Sequence, residues 1–191
     1  MSFKNRQQGR APSLRDGSPL IVPSNSLGVD YQLLTPQKAT LKLPTAGATL
    51  TVLAANDYGS LELMTWPDRN LHILGMEVDL TLVKGGVANG LLTTVDLDVG
   101  MGSAAASAAT LATTMIDYLE KVDLDTDSLT LTLQANVLGQ STATFPKQLA
   151  DAATNKLHLN VGLPVGITAD DAITVTGNVD LYFVDLGNRT S

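Results

Sequence analysis

The chain has 191 residues, enough for one domain or for one domain with an appendage, and a formal net charge of −7 at pH 7. It contains no cysteine, which excludes a disulfide scaffold and a thiolate zinc site. The N-terminus lacks the apolar run of a signal peptide, and no stretch approaches the roughly 20 apolar residues of a membrane span. We therefore expect a soluble protein that is not exported.

Charge is distributed unevenly along the chain. Residues 1–40 carry five Lys or Arg against two Asp, whereas residues 41–191 carry seven Lys or Arg against seventeen Asp or Glu. We interpret 1–40 as an extended basic N-terminal arm and 41–191 as the folded body. The acidic body argues against nucleic acid as a broad partner, because phosphate binding requires a basic face. The basic side chains predicted to contact a partner are Lys4, Arg6, Arg10 and Arg15.

The first half of the body alternates apolar and polar residues with a period of two, which predicts strands with one buried face. The predicted strands are 49–54, 60–66, 71–83 and 91–99. Because the links between them are short, we expect an antiparallel meander. In the third strand the alternation places His72 on the same face as Met76 and Leu80, the predicted core face.

The pattern changes after residue 99. Residues 100–103 read Gly-Met-Gly-Ser and break the alternation, and residues 104–119 are rich in Ala. Leu111, Met115 and Leu119 follow at a spacing of four, which predicts one short helix or helical loop.

Strands resume in the second half, at 129–137, 156–161 and 172–186, and the last of these is long enough for a bulge near Gly177. Antiparallel strands with one helical interruption predict an all-β body. We expect a two-sheet sandwich of the jelly-roll-like kind, because closing two sheets on each other limits exposed edges.

Four acids could share one outer face. If 71–83 and 91–99 formed a hairpin, its register would crowd together Glu77, Asp79, Asp96 and Asp98. Like charges placed opposite each other are destabilising unless something neutralises them. A solvated acidic face, a binding place for a partner's Arg and a weak metal site all remain open, and we predict no cofactor.

Other candidates for chemistry are weaker. Residues 123–128 resemble the start of a calcium loop, but Ser128 replaces the required Gly and Gln134 stands where a bidentate Glu belongs. His158 is predicted to face outward, and no nucleophile-elbow motif accompanies the two histidines. Trp66 with Tyr58 could form a sugar-stacking platform. We predict that the protein is not an enzyme.

Residues 92–107, which read LTTVDLDVGMGSAAAS, resemble a run found in small structural proteins of tailed-bacteriophage heads, and 73–80 fit the same pattern. The resemblance implies a capsid decoration (cement) protein, jelly-roll-like, commonly trimeric and seated on the lattice of the major capsid protein. It implies a place on the virion surface after synthesis in the host cytoplasm. No functional residues carry over from it.

Two alternatives to a decoration protein remain open at this point. One is a jelly-roll coat protein that builds the shell itself, and the other is a virion-surface module that binds glycans. The coat protein would point its arm at the genome, whereas for the decoration protein we expect the extended arm to take its shape against a companion molecule.

Overall fold

The computed structural model describes residues 36–66, 70–124, 127–137, 147–149 and 156–186. Strands account for 59% of these residues, and the only helical element among them is the 3₁₀ turn Thr113–Met115. The strands are β1 (Gln37–Lys42), β2 (Ala48–Leu53), β3 (Tyr58–Thr65), β4 (Leu71–Lys84), β5 (Leu97–Gly102), β6 (Leu119–Leu124), β7 (Thr130–Asn136), β8 (Lys147–Leu149), β9 (Lys156–Gly162) and β10 (Asp171–Asp185). The all-β prediction is confirmed.

All strand pairings are antiparallel, and they join the strands into one sheet in the order β6-β5-β9-β3-β2-β10-β4-β7. β1 adds to β10 and β8 adds to β4. The sheet of the body curls until it is nearly barrel-shaped. Along the strands, alternate residues point inward to one large core, as the period-two pattern predicts.

The two longest strands, β4 and β10, are neighbours in the sheet. They pair along almost their whole length, and each has two shorter strands on its other edge: β7 and β8 on β4, β2 and β1 on β10. On β10 the change of partner falls at Gly177, whose φ is +115°. The predicted bulge is displaced from this position, since the register shift with β4 occurs between Tyr182 and Phe183.

The sheet has one thin junction. β2 and β3 pair only through Val52 with Gly59 and Leu53 with Tyr58. On one side of this junction lie β3, β9, β5 and β6, and on the other lie β2, β10, β4 and β7. The core is built from both groups of four strands.

The predicted meander is wrong beyond its first hairpin. β3 pairs with β2 and β9, and β4 pairs with β10, β7 and β8, so β3, β4 and β5 are not neighbours. The predicted strand 91–99 begins instead at Leu97 and continues to Gly102. Residues before Leu97 belong to the loop between β4 and β5, where the N–H of Leu91 donates to the buried carboxylate of Asp171 at 2.9 Å.

The predicted helix at 104–119 is also wrong. Its spacing of four does not define one face, since Leu111 and Met115 lie in a small second cluster while Leu119 belongs to the main core and to β6. Except for the 3₁₀ turn, the segment up to Tyr118 is irregular. Its backbone hydrogen bonds are made partly within it, as from the N–H of Ala104 to the carbonyl of Thr114, and partly to the sheet beneath it, as from the N–H of Tyr118 to the carbonyl of Met101.

His72 does not lie on the core face. A bulge in β4 at Leu74, opposite the Tyr182–Phe183 step, changes the alternation, so Ile73 and Met76 are both in the core while His72 is half-buried on the outer face.

The sequence patterns missed β1, β6 and β8. β1 crosses residue 40, the predicted end of the arm. Residues 1–35 lie outside the described residues, and so do the arm's predicted partner contacts Lys4, Arg6, Arg10 and Arg15. Asp125, in the segment resembling a calcium loop, lies outside them too. The elements on either side of that segment, β6 and β7, are strands.

Candidate functional site

Residues 103–118, which we call the covering segment, lie over the outer face of β5 and β9. Glycine makes this close approach possible. A Cβ on Gly102 would lie 2.2 Å from the carbonyl oxygen of Thr114, and one on Gly162 would lie 2.1 Å from the carbonyl oxygen of Ala109. Neither distance is tolerable, so only glycine lets the backbone of the covering segment rest on the sheet.

Asn160 is the polar centre of this covered face and is completely buried. Its Nδ2 donates to the carbonyl oxygens of Ala104 at 2.9 Å and Met115 at 2.7 Å. Its Oδ1 accepts from the N–H of Ala106 at 2.9 Å and from the hydroxyl of Ser60 at 2.6 Å. Two donors and two acceptor positions are thereby filled, which is the full capacity of the amide. One side chain thus satisfies three backbone groups of the covering segment.

The covering segment is also closed and packed by its own residues. The carboxylate of Asp117 accepts from the N–H and the hydroxyl of Ser103, each at 2.7 Å, and so joins its two ends. Ala106, Leu111 and Met115 form a small apolar cluster under it. The contact with Ser103 gives Asp117 a structural role, whereas near the end of a helix an acid would be unfavourable.

His158 lies on the covered face as well. The prediction that it points away from the core is confirmed, yet it is only 8% exposed. Burial lowers its pKa, while Glu62 raises it and Lys156 lowers it further. Its Nδ1 is 3.4 Å from the hydroxyl oxygen of Ser60, but that hydroxyl donates to Asn160, so the contact is not a nucleophile–base pair.

The four predicted acids do not form one cluster, because β4 and β5 are not paired. Glu77 and Asp79 lie together on the outer face of β4, while Asp96 precedes β5. The side chain of Asp98 is 3% exposed and forms an ion pair with Lys121 at 3.0 Å. In the part of the chain that the structure describes, no group of three or more His, Cys, Asp or Glu is arranged to hold a metal ion.

Glu77 and Asp79 line a shallow recess between β4 and β7. Glu77 accepts from the Asn136 amide at 3.2 Å and from the Tyr182 hydroxyl at 2.8 Å. Asp79 accepts from the Gln134 amide at 3.2 Å. Cross-strand amides and a phenol thus donate to both carboxylates.

The polar network continues across β10 to β1. The Lys38 ammonium lies 2.8 Å from the Asp180 carboxylate and 5.5 Å from the centre of the Tyr182 ring. The Thr40 hydroxyl donates to the same carboxylate. This pairing raises the pKa of Lys38 and lowers the pKa of Asp180. We call the outer face of β1, β10, β4 and β7 the open face.

Asp171 fixes the loop between β4 and β5 and is only 8% exposed. One carboxylate oxygen accepts from the N–H groups of Val87 and Leu91, both at 2.9 Å, and the other accepts from the N–H of Ala172 at 2.7 Å. A Cβ at Gly85 would lie 2.0 Å from this carboxylate, so the loop closes on it only with glycine there.

The end of the same loop is held by Lys84, which is 2% exposed. Its ammonium donates to the carbonyl oxygens of Thr93 at 3.2 Å and Val95 at 3.1 Å. Burial lowers its pKa, although nearby aspartates raise it. At a neighbouring turn, the Asp57 carboxylate accepts from the N–H of Ile167 at 3.0 Å. Buried or half-buried charges therefore hold several surface loops.

Trp66 is not a sugar-stacking platform. It is 3% exposed, and its ring packs on Tyr118 with centroids 6.2 Å apart and an angle of 27° between the planes. Tyr58 is half-buried beside the small cluster under the covering segment.

No protein-family model matches this chain, and no curated protein matches it. Among the described residues, no helix has both the length and the apolar character needed to cross a bilayer. Any functional assignment must therefore come from the chain's own residues and geometry.

Proposed function

We propose that this chain is a structural virion protein: a capsid decoration (cement) protein that binds the lattice of the major capsid protein and stabilises a bacteriophage head. The observation that carries the proposal is the pinning of surface loops by buried polar side chains. Asn160 holds the covering segment, and Asp171 with Lys84 holds the loop between β4 and β5. A body whose loops are held in this way deforms little, as reinforcement of a lattice requires.

The resemblance to phage head proteins adds to this. Its main stretch, residues 92–107, runs from the loop held by Lys84 through β5 into the part of the covering segment held by Asn160. The residues that carry the resemblance are thus those that the buried polar groups fix in place.

The proposal includes a jelly-roll-like, two-sheet sandwich for the body. One sheet would be β6-β5-β9-β3 and the other β2-β10-β4-β7. The thin junction of two residue pairs between β2 and β3 supports this division.

In the proposed mechanism, the body caps a symmetry axis as a homotrimer, and the part of the basic arm before β1, residues 1–35, reaches across a capsomer boundary to tie adjacent subunits. Many copies acting together resist internal pressure even if each contact is weak, because multivalent engagement raises the overall affinity.

Adding the full-length protein back to purified heads that lack it tests the proposal. We expect a fixed number of copies on the outside of each capsomer and a higher temperature of DNA release. The variant Arg10→Glu/Arg15→Glu should lower occupancy, while the body variant Lys42→Glu/Lys156→Glu should not. Heads that bind none of the protein, or a continuous shell built from it, would contradict the proposal.

A further inference from the structure

The exposed apolar side chains of the body are gathered at one end of the sheet. Among the described residues, the large apolar side chains with substantial exposure are Leu53, Val83, Val87, Leu92, Leu129 and Val165. Val165 is the most exposed, at 83%. Leu53 and Val83 lie at the ends of β2 and β4, and the others lie in the adjoining loops. Strand pairing places these loops together, since the starts of β10, β7 and β5 meet the ends of β2, β4 and β9 there. We call residues 54–57, 85–96, 127–129 and 163–170 the loop end.

The loop end is also negatively charged. Its four segments contain Asp57, Asp96, Asp127 and Asp170 and no Lys or Arg. The cation adjoining them, Lys84, is buried and directs its ammonium to backbone carbonyls. Two loop ends facing each other would therefore place like charges together, and anionic lipid or nucleic acid would be repelled in the same way.

A surface that is both apolar and acidic fits a segment that is both apolar and basic. Residues 1–35 have that composition, with four Lys or Arg against two Asp. They also contain the apolar run Leu20-Ile21-Val22 and the later residues Leu27, Val29, Leu33 and Leu34. No other stretch of the chain outside the described residues is comparable in length and charge.

The point of attachment of residues 1–35 indicates which molecule would receive them. β1 begins at Gln37, opposite Phe183 and far from the loop end, and runs from there toward it. Residue 36 therefore lies at the end of the body opposite the loop end. Thirty-five extended residues span up to roughly 115 Å, whereas the fifteen residues of β10 span roughly 50 Å. That length reaches either loop end, but a neighbour placed head to tail brings its loop end next to residue 36, whereas the loop end of the same molecule lies a body length away.

We propose that the loop end is a docking surface for residues 1–35 of a second copy of this chain. Each copy then donates its arm from one end and receives an arm at the other. Such a head-to-tail contact is heterologous and closes into a ring when the rotation between copies allows. This inference goes beyond the proposed function, because it names the receptor for the arm. It requires no capsid, so the two proposals fail separately.

Two full-length variants test the docking. The arm variant is Arg10→Glu/Arg15→Glu, and the loop-end variant is Asp127→Lys/Val165→Lys, both of whose sites are exposed. By sedimentation velocity at low ionic strength, we expect the wild type to associate and each variant to associate at least about tenfold more weakly. An equimolar mixture of the variants should form a complex of one copy of each, because it retains one intact arm and one intact loop end.

The matched control is Glu120→Lys/Ala105→Lys, which makes the same change in charge at exposed positions away from the loop end. It should associate like the wild type, and all variants should keep the wild-type melting temperature. A wild type that stays monomeric at high concentration, a loop-end variant that associates like the control, or a mixture that forms no complex would each overturn the proposal. Complex formation by the mixture alone distinguishes docking between copies from docking within one.

Discussion

The covered face and the open face belong to the same antiparallel sheet, yet one lies beneath a segment of chain and the other faces solvent. The covered face presents Gly100, Gly102, His158, Asn160 and Gly162. The open face presents Glu77, Asp79, Gln134, Asn136 and Tyr182. Glycine leaves room for a second layer of backbone, whereas long polar side chains fill that space. The size of the outward side chains decides whether a sheet carries another layer.

The two faces differ equally in how their polar groups are satisfied. On the covered face, one buried amide serves three backbone groups, those of Ala106 and Met115 in buried hydrogen bonds and that of Ala104 in a part-buried one. On the open face, charged and amide side chains pair across strands but remain in contact with solvent, where such pairs contribute little. Substitutions on the covered face should therefore cost far more stability than substitutions on the open face.

The largest effect is expected for Asn160→Leu, which keeps the number of side-chain heavy atoms but removes every hydrogen bond that the Asn160 side chain makes to the covering segment. Three backbone groups lose their partner, two of them in buried hydrogen bonds, so the free energy of unfolding should fall by about 3 kcal/mol. Urea denaturation measures the loss. The control is Gln134→Leu, an exposed amide of the open face, which should cost much less. Equal losses in the two variants would remove the contrast between the faces.

A somewhat smaller effect is expected for Gly102→Ala, whose new methyl group would overlap the carbonyl of Thr114. Displacement of the covering segment should cost about 2 kcal/mol. Limited proteolysis should then cleave within 103–118 sooner than in the wild type. Ala105→Val, at an exposed position of the same segment, should leave the cleavage rate unchanged. A protected covering segment in Gly102→Ala would show that the close approach is not required.

A smaller effect still should appear as pH dependence. Burial lowers the pKa of His158 in the folded protein below its ordinary value of 6.5. The folded state then binds fewer protons than the unfolded state, so stability is complete above pH 6.5 and declines as pH falls from there toward the folded pKa. Unfolding free energies measured across this window should decline less steeply in His158→Gln. Unfolding free energies that decline in parallel with falling pH in the wild type and in His158→Gln would contradict the assignment of this pH dependence to His158.

The smallest effect is expected on the open face, for Lys38→Met. The ion pair with Asp180 is exposed, and its loss should leave the denaturation midpoint unchanged within error, with or without added salt. A clear loss of stability in this variant would mean that β1 depends on that pair for its place in the sheet.

Local patterns predicted the strands that alternate cleanly, including β4, β7, β9 and β10. They failed where distant parts of the chain compete for a partner. The short links between the predicted strands give no sign that β10 inserts between β2 and β4. The predicted hairpin that would have brought Glu77 and Asp79 next to Asp96 and Asp98 was therefore wrong. β1, β6 and β8 were missed because their own alternation is short or weak.

The covering segment shows a second limit of local patterns. Alanine and a spacing of four favour a helix in isolation, but Asn160 offers its backbone groups better partners, and glycines in β5 and β9 allow it to reach them. The sequence feature that pointed to this arrangement was Asn160, an amide between Leu159 and Val161 at an outward position of a strand.

The sequence by itself determined the all-β class, the opposite net charges of residues 1–40 and 41–191, and the inward faces of most strands, because composition and a period of two are local properties. The tertiary structure alone decided which strands are neighbours, which outer face carries a second layer, and where the exposed apolar side chains gather. Those features depend on contacts between residues far apart in the chain, and their free energy is gained only when the whole sheet has formed.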